Sequence, residues 1–346
     1  MGNEATLRDV AEQAGVSLGT ASLALNNRPS VAAETRARVV EVANRLGYAG
    51  RIPLRATPTN RIKVIGMVIK HDLGLADLIN PFYSYVQLGV DSEARKPGLG
   101  LMLSNIEVDL SNRPVMLPPL LEREQIDALL IVGVRLDDAI LRMVRERGLP
   151  TVLIDGHPDN SDFDVVHTDN HGGGFQATQF LIDQGHTQIG LIGSHRDSFV
   201  TVSERRRGYL AAIGARGLTP YIEDSRLSRG AAYDATFRLL KRAPEVSALF
   251  ACNDECAFGT LDALRDMGMR CPEDVCLIGF DDVDLAREMR PALTTVRVHK
   301  AQMGVLGVRQ LLARAQDAEQ PALQIVVSTR VIERDTVCSR DQQRRR

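Results

Sequence analysis

From residue 61 to residue 338, short apolar runs alternate with amphipathic stretches, and this rhythm limits the chain to few folds. "IKVIGMVI" reads as a buried strand, and Phe82, Val86, Gly89, Val90 and Glu93 track a helix that ends near Pro97. "LGLMLSN", "IDALLIV" and "PTVLIDG" read as further strands, with a helix over 137–147. Pro118-Pro119 interrupts the second helix of this region. After about Val165 the rhythm restarts with a helix after "HTDNHGGG", then strand "QIGLIG", helices over 202–216 and 231–242, strand "SALFAC", a helix over 254–267 and strand "VCLIGF". Repeated strand–helix units predict parallel sheets with helices on both faces, an α/β architecture. Two rounds predict two lobes with a cleft between them. Such clefts, outside the carboxyl ends of strands, are where α/β proteins take small molecules. Asp155, Asn253-Asp254 and Asp281-Asp282 all follow strands.

The first sixty residues follow another pattern. Thr6 reads as a helix N-cap, with Asp9 three residues on as in a capping box. Leu7, Val10, Ala11 and Ala14 then recur at helical spacing, and Gly15 ends the helix. Ser17 caps a second helix running to about Asn26, with Ala21, Ala24 and Leu25 inward. A third, from Ala33 to Leu46, presents Val39, Val40, Ala43 and Leu46. Two short helices around a tight glycine turn meet the physical requirement of a helix-turn-helix that reads DNA. Charge agrees. Residues 1–62 hold eight arginines and five acids, whereas the whole chain has a formal net charge of −2.

Composition, at 44% hydrophobic and 25% charged, is that of a soluble globular protein. No apolar run approaches the roughly 20 residues of a membrane span. Met1-Gly2-Asn3-Glu4-Ala5 does not read as an export leader, so a cytoplasmic location is expected. Five cysteines are an odd number for a disulfide framework, and the spaced pairs Cys252/Cys256 and His167/His171 read as reduced thiols and ordinary histidines. Gly172-Gly173-Gly174 is no dinucleotide fingerprint and opens a helix. No metal, cofactor or catalytic constellation is expected, and an enzyme is not.

"TLRDVAEQAGVSLGTASLALN" followed by "TRARVVEVANRLGY" resembles the head of the lactose-repressor/galactose-repressor (LacI/GalR) family. The resemblance implies that Leu18, Gly19 and Leu23 face base edges in the major groove. It implies that Thr6, Leu7, Ser17, Thr20, Ser22 and Asn26 lie at the DNA backbone. Leu18 and Leu23 depart from the polar residues usual there, and Ala32 replaces the usual serine cap of the third helix. Apolar side chains touch thymine methyls but make no bidentate hydrogen bonds to bases, so the operator sequence does not carry over. In the linker "GYAGRIPLRATPTN", Arg55 matches the family, Arg51 and Gly50 replace its usual pair, and Thr57 stands at the usual leucine position. Two readings stay open. Either Pro53 starts a short helix whose Leu54 wedges into the minor groove, or the linker is a flexible tether.

The resemblance continues through "NPFYSYV", "LIDQGHTQIGLI", "ERRRGY", "ACNDECAFGTLDAL", "PEDVCLIGFDD" and "PALTTVRV". It implies a fold like that of periplasmic sugar-binding proteins, with effector contacts from Asp155, Arg205, Asn253 and Asp281, and with Phe82 and Tyr83 lining the cleft. A sugar-stacking tryptophan of some members has no counterpart, because the chain has no Trp. A sugar is the first expectation; nucleosides, polyols and phosphorylated metabolites remain open.

The expected organisation is a DNA-binding domain over 1–47, a hinge over 48–60 and an effector and dimerisation domain over 61–338. Lobe 1 is set at about 61–166 and 293–322, lobe 2 at about 167–292 and 323–338. The expected function is a repressor that binds pseudo-palindromic operator DNA as a homodimer, without membrane contact. An effector acts by preferring one lobe arrangement. Dimer contacts are expected from the helix after Tyr83 and the segment after Thr295. The alternative, a solute-binding protein without DNA function, shares the body and lacks the head.

Overall fold

Two units, Met1–Arg61 and Ile62–Arg346, make up the computed structural model, which describes residues 6–25, 31–46, 62–72, 81–109, 112–122, 125–156, 162–195 and 198–344. In the first unit, three helices form: α1 (Leu7–Ala14), α2 (Leu18–Leu25) and α3 (Ala33–Arg45). Thr6 and Asp9 close a reciprocal capping box, with Thr6 N donating to Asp9 Oδ2 over 2.7 Å. Gly15 stops α1 at φ 66°, a left-handed conformation that a Cβ would strain. Ser17 Oγ then accepts from Thr20 N over 3.0 Å and opens α2. The core is small: Val10, Ala11, Ala14, Ala21, Ala24, Val31, Val39, Val42 and Ala43. The inward place expected of Val40 belongs to Val42; Val40 is exposed. Residue 40 is about 100° around the helix from residue 39, whereas 42, 43 and 46 return to the same face.

The second unit opens with β1 (Val64–Asp72), α4 (Pro81–Arg95), β2 (Gly100–Val108), α5 (Pro119–Glu122), β3 (Ala128–Val132), α6 (Asp138–Arg147), β4 (Thr151–Ile154) and β5 (Asp164–Thr168). The second round is α7 (Asn170–Asp183), β6 (Ile189–Ser194), α8 (Val200–Ala215), β7 (Tyr221–Asp224), α9 (Arg229–Arg242), β8 (Ala248–Ala251), α10 (Asp254–Asp266), β9 (Cys276–Asp281), α11 (Asp284–Glu288) and β10 (Thr294–Arg297). The chain ends with α12 (Lys300–Gln316), β11 (Gln324–Val327), β12 (Arg330–Ile332) and α13 (Arg340–Arg344). After Pro118-Pro119 only the single turn of α5 forms, as the two prolines foretell.

The strands build two six-stranded sheets, β2-β1-β3-β4-β5-β11 and β7-β6-β8-β9-β10-β12, parallel except for the β10–β12 pair. The first five strands of each round share one doubly wound order, with a switch of direction beside the first strand. β3, β6, β8 and β9 are buried along their whole length, as parallel strands covered on both faces must be.

The lobe boundaries differ from expectation. β10 lies in the second sheet beside β9, not in lobe 1, and β11 lies in the first sheet beside β5, not in lobe 2. The chain passes between sheets after β5, between β10 and α12, and between β11 and β12. A short apolar strand does not encode which sheet it will pair with, so period alone misplaced these segments. Thr295 and Val296 are fully buried in β10 and offer no outer surface to a second copy.

Candidate functional site

In the helical unit, residues 18, 19, 22 and 23 fall on one face of α2, because i, i+3 and i+4 neighbours share a helix face. Leu18 and Leu23 are 49% and 43% exposed on a helix whose other leucine, Leu25, packs on the core. A Cβ at Gly19 would meet nothing nearer than Ser17 Oγ at 3.8 Å, so this face is smooth and open. Hydroxyls frame it: exposed Thr6 at the start of α1, and exposed Ser17 bonded to half-buried Thr20 over 2.8 Å. Leu7 is partly buried against the core and Ser22 is partly buried on α2. Asn26, Arg51, Leu54 and Arg55, with the rest of the linker, lie outside the described residues.

In the α/β unit, residues far apart in sequence meet at the carboxyl ends of the strands. Phe82 and Tyr83, in the first turn of α4, are buried edge to face with centroids 5.1 Å apart. Tyr83 Oη donates to Asp155 Oδ2 over 3.0 Å. Asp155 sits just past β4 at φ 53°, and burial holds its carboxyl above the usual range against the opposing pull of Arg205. The Lys70 ammonium lies 3.4 Å from Asn112 Oδ1 and 5.8 Å from the Tyr83 ring centre.

Arg205 is the centre of the other wall. It is 5% exposed, donates from Nε to Asn170 Oδ1 over 2.9 Å and from Nη1 to the Cys252 carbonyl over 2.7 Å, and stacks 3.9 Å from the Phe280 ring centre. Its Nη2 lies 3.5 Å from Asp281 Oδ1. That oxygen is buried and has no hydrogen-bond partner among the described residues. Burial pushes the Asp281 carboxyl up to about 6, against the pull of Arg205 and Lys300. Asn253 is the N-cap of α10: its Oδ1 accepts from Cys256 N over 2.8 Å, and its Nδ2 can donate to another partner.

The glycine run explains how Arg205 reaches this place. A Cβ on Gly174 would stand 2.4 Å from the Arg205 carbonyl oxygen, and one on Gly208 would stand 2.2 Å from that of His171. Backbone therefore packs on backbone where α7 crosses α8. Gly172 N donates to the capping Asp169 Oδ1 over 2.7 Å, so the run does open a helix as expected.

Sequence reading missed two contributors, Asn170 and Lys300, and gave a third, Asp254, only its place after a strand. Asn170, inside "HTDNHGGG", orients Arg205, and its place directly after β5 was the available signal. Asp254 is buried beneath the cleft, accepts from Thr295 Oγ1 over 2.6 Å and from Val283 N over 2.9 Å, and is pushed up to about 8 by burial and by the Asp281 charge. Lys300 donates to the carbonyl oxygens of Asp281 and Asp282; nothing in its sequence surroundings marked it.

A helix-turn-helix unit and a unit of two doubly wound sheets in one chain define a class: DNA-binding regulators with a body of periplasmic-binding-protein type. Residues 6–50 match the model of bacterial regulatory proteins of the lacI family, and residues 178–337 match the periplasmic binding protein-like domain. The chain is 32% identical over 317 residues to the HTH-type transcriptional repressor PurR of Aliivibrio salmonicida (strain LFI1238), covering 90% of this chain and 93% of that one. It is similar to the structure of transcriptional regulator CelR with cellobiose, at 29% identity and TM-score 0.69, covering 96% of this chain and all of that one. A ribose-bound LacI family regulator from Enterococcus faecium matches at 27% identity and TM-score 0.69, over 80% and 99% of the two chains. The chain belongs to the LacI family of bacterial transcriptional regulators. It is a DNA-binding transcriptional regulator of the repressor type, controlled by a small-molecule effector, and not an enzyme. Among the described residues no helix is long and apolar enough to cross a membrane.

Proposed function

We propose that α2 reads operator DNA through Leu18, Gly19 and Leu23, with Thr6, Leu7, Ser17, Thr20 and Ser22 at the phosphates. We propose likewise that the effector is a polyhydroxyl compound of the sugar class, held by Asp155, Arg205, Asn253 and Asp281 against Phe82 and Tyr83. The observation that carries the second reading is Asp281 Oδ1, a buried carboxylate oxygen without a hydrogen-bond partner among the described residues, 3.5 Å from a fixed guanidinium. An isolated buried acceptor costs free energy, and a ligand hydroxyl that donates to it recovers that cost. Asp155 and Asp281 accept while Arg205 and Asn253 donate, the alternation that vicinal hydroxyls satisfy. The cellobiose and ribose bound by two similar regulators support this class.

The regulator works as a homodimer on a pseudo-palindromic site, because paired heads must meet half-sites about one helical turn apart. Leu88 on α4 and Leu103 on the edge strand β2, both exposed, support pairing through the first lobe. Closing the cleft changes the relation of two paired first lobes, which is how an effector biases DNA affinity.

Two measurements test this. Genomic footprinting with full-length protein yields a protected symmetric site that a truncated chain beginning at Ile62 fails to protect; equal protection by both removes the head from the mechanism. A thermal-shift panel of ribose, cellobiose, polyols and nucleosides shows stabilisation by a hydroxyl-rich compound. Stabilisation confined to compounds without vicinal hydroxyls overturns the sugar class.

A further inference from the structure

One segment of four residues, 281–284, touches the cleft, the crossovers and the opposite lobe. Asp281 turns its carboxylate toward Arg205. Asp282 accepts from Arg297 Nε over 2.6 Å and from Arg334 Nη2 over 2.5 Å. Arg297 ends β10, where the chain leaves the second sheet, and Arg334 follows β12. Asp284, at the start of α11, accepts a hydrogen bond from the hydroxyl of Tyr85 on α4, which belongs to the first lobe. Lys300, the first residue of α12, completes the circuit. Its ammonium donates to the carbonyl oxygens of Asp281 and Asp282, at 3.0 Å for the latter, and lies 5.6 Å from the Tyr85 ring centre. α12 in turn packs along α4.

The segment is stiff. Asp281 and Asp282 are adjacent non-glycine residues at φ 113° and φ 54°. Such conformations persist only where surrounding contacts over-determine them. Here the lysine fixes both carbonyls and two arginines fix one carboxylate. A segment held in this way is suited to carry a displacement of Asp281 along to Asp284. Tyr83 and Tyr85 are two apart on α4 and do not share a face. Tyr83 points inward to Asp155, and Tyr85 reaches the other lobe.

We propose that the Tyr85–Asp284 hydrogen bond is an inter-lobe latch that sets the ratio of open to closed cleft, and that segment 281–284 couples this latch to whatever occupies the cleft. The coupling clause rests on the effector site proposed above; the latch itself does not. The bond is partly solvent-exposed, so its net strength is modest, which suits a contact that must break in each regulatory cycle. Tyr85 and Asp284 are positioning residues: they act on lobe arrangement and not on the effector itself.

The test reads lobe separation directly and needs neither effector nor DNA. Full-length protein carries spin labels at Arg142→Cys on α6 and Lys241→Cys on α9, both exposed, with the partly buried Cys271 and Cys338 changed to Ser. Pulsed electron-electron resonance then gives the distance distribution between lobes, and circular dichroism verifies folding of each variant. Tyr85→Phe and Asp284→Ala each increase a second, displaced population about three- to tenfold. The double variant moves no further than either single one, because both remove the same bond. Asp284→Asn, whose amide oxygen still accepts from the phenol, stays close to the unsubstituted protein. Unchanged distributions in Tyr85→Phe and Asp284→Ala, or additive shifts in the double variant, overturn the latch. Either result leaves the effector-site reading standing, and absence of sugar binding leaves the latch standing.

Discussion

In the helical unit, the candidate reading face exposes Leu18 and Leu23 and keeps its hydroxyls at the rim, while in the α/β unit Asp155, Arg205 and Asp281 are all at least nine-tenths buried, Asp155 bonded to Tyr83 and Arg205 paired with Asp281. The first surface needs little from the rest of the molecule. Eight residues of helix, one cap and a core of alanines and valines present it. The second exists only because β4 and β9 end where the second turn of α8 passes with Arg205. The difference teaches what each surface can tolerate. A small exposed face trades one contact for another at modest cost, whereas buried charges fail together when one partner goes.

Several substitutions break or sharpen that contrast. The largest effect is expected from Gly208→Ala. The added Cβ would stand 2.2 Å from the His171 carbonyl oxygen, so α7 and α8 must separate, at about 3 kcal/mol. Thermal unfolding of the full chain measures it, with Gly19→Ala on the open face of α2 as the tolerated counterpart. Equal midpoints for the two variants would erase the contrast. Arg205→Ala should weaken binding of any stabilising sugar about 100-fold by calorimetry, because Asp281 is left as an unpaired buried charge. Arg205→Lys should not restore it, since one ammonium cannot serve Asn170, the Cys252 carbonyl and Asp281 together.

Leu23→Arg should add a bidentate contact to a guanine, worth roughly 2 kcal/mol at one operator position, and selection from random DNA should reveal it. Identical selected sequences would take position 23 out of base reading. The pH dependence follows from Asp281. Its carboxyl is raised to about 6, so it is ionised at pH 7 and gains a proton as pH falls through 6. A ligand hydroxyl that donates to it loses its acceptor, and affinity should drop about tenfold between pH 7 and pH 5. A flat profile across that window would separate Asp281 from the ligand. The smallest effect belongs to Thr6→Ala, which opens the capping box and should cost the helical unit about 1 kcal/mol in urea unfolding, leaving the α/β unit unchanged.

The sequence by itself determined the features whose causes are local. Thr6, Asp9, Gly15 and Ser17 specify where α1 ends and α2 begins, because caps and left-handed turns involve residues within four positions. The central strands were equally plain, since a strand covered on both faces is a continuous apolar run. Tertiary structure alone decided which sheet received β10 and β11, because hydrogen-bond partnership across a sheet leaves no mark on the strand's own residues. It also decided that glycines let α8 bring Arg205 to Asp281, and that Lys300 clamps the segment leading to Tyr85. Those are contacts between groups tens to hundreds of residues apart, and only the closed packing of the α/β unit sets their distances.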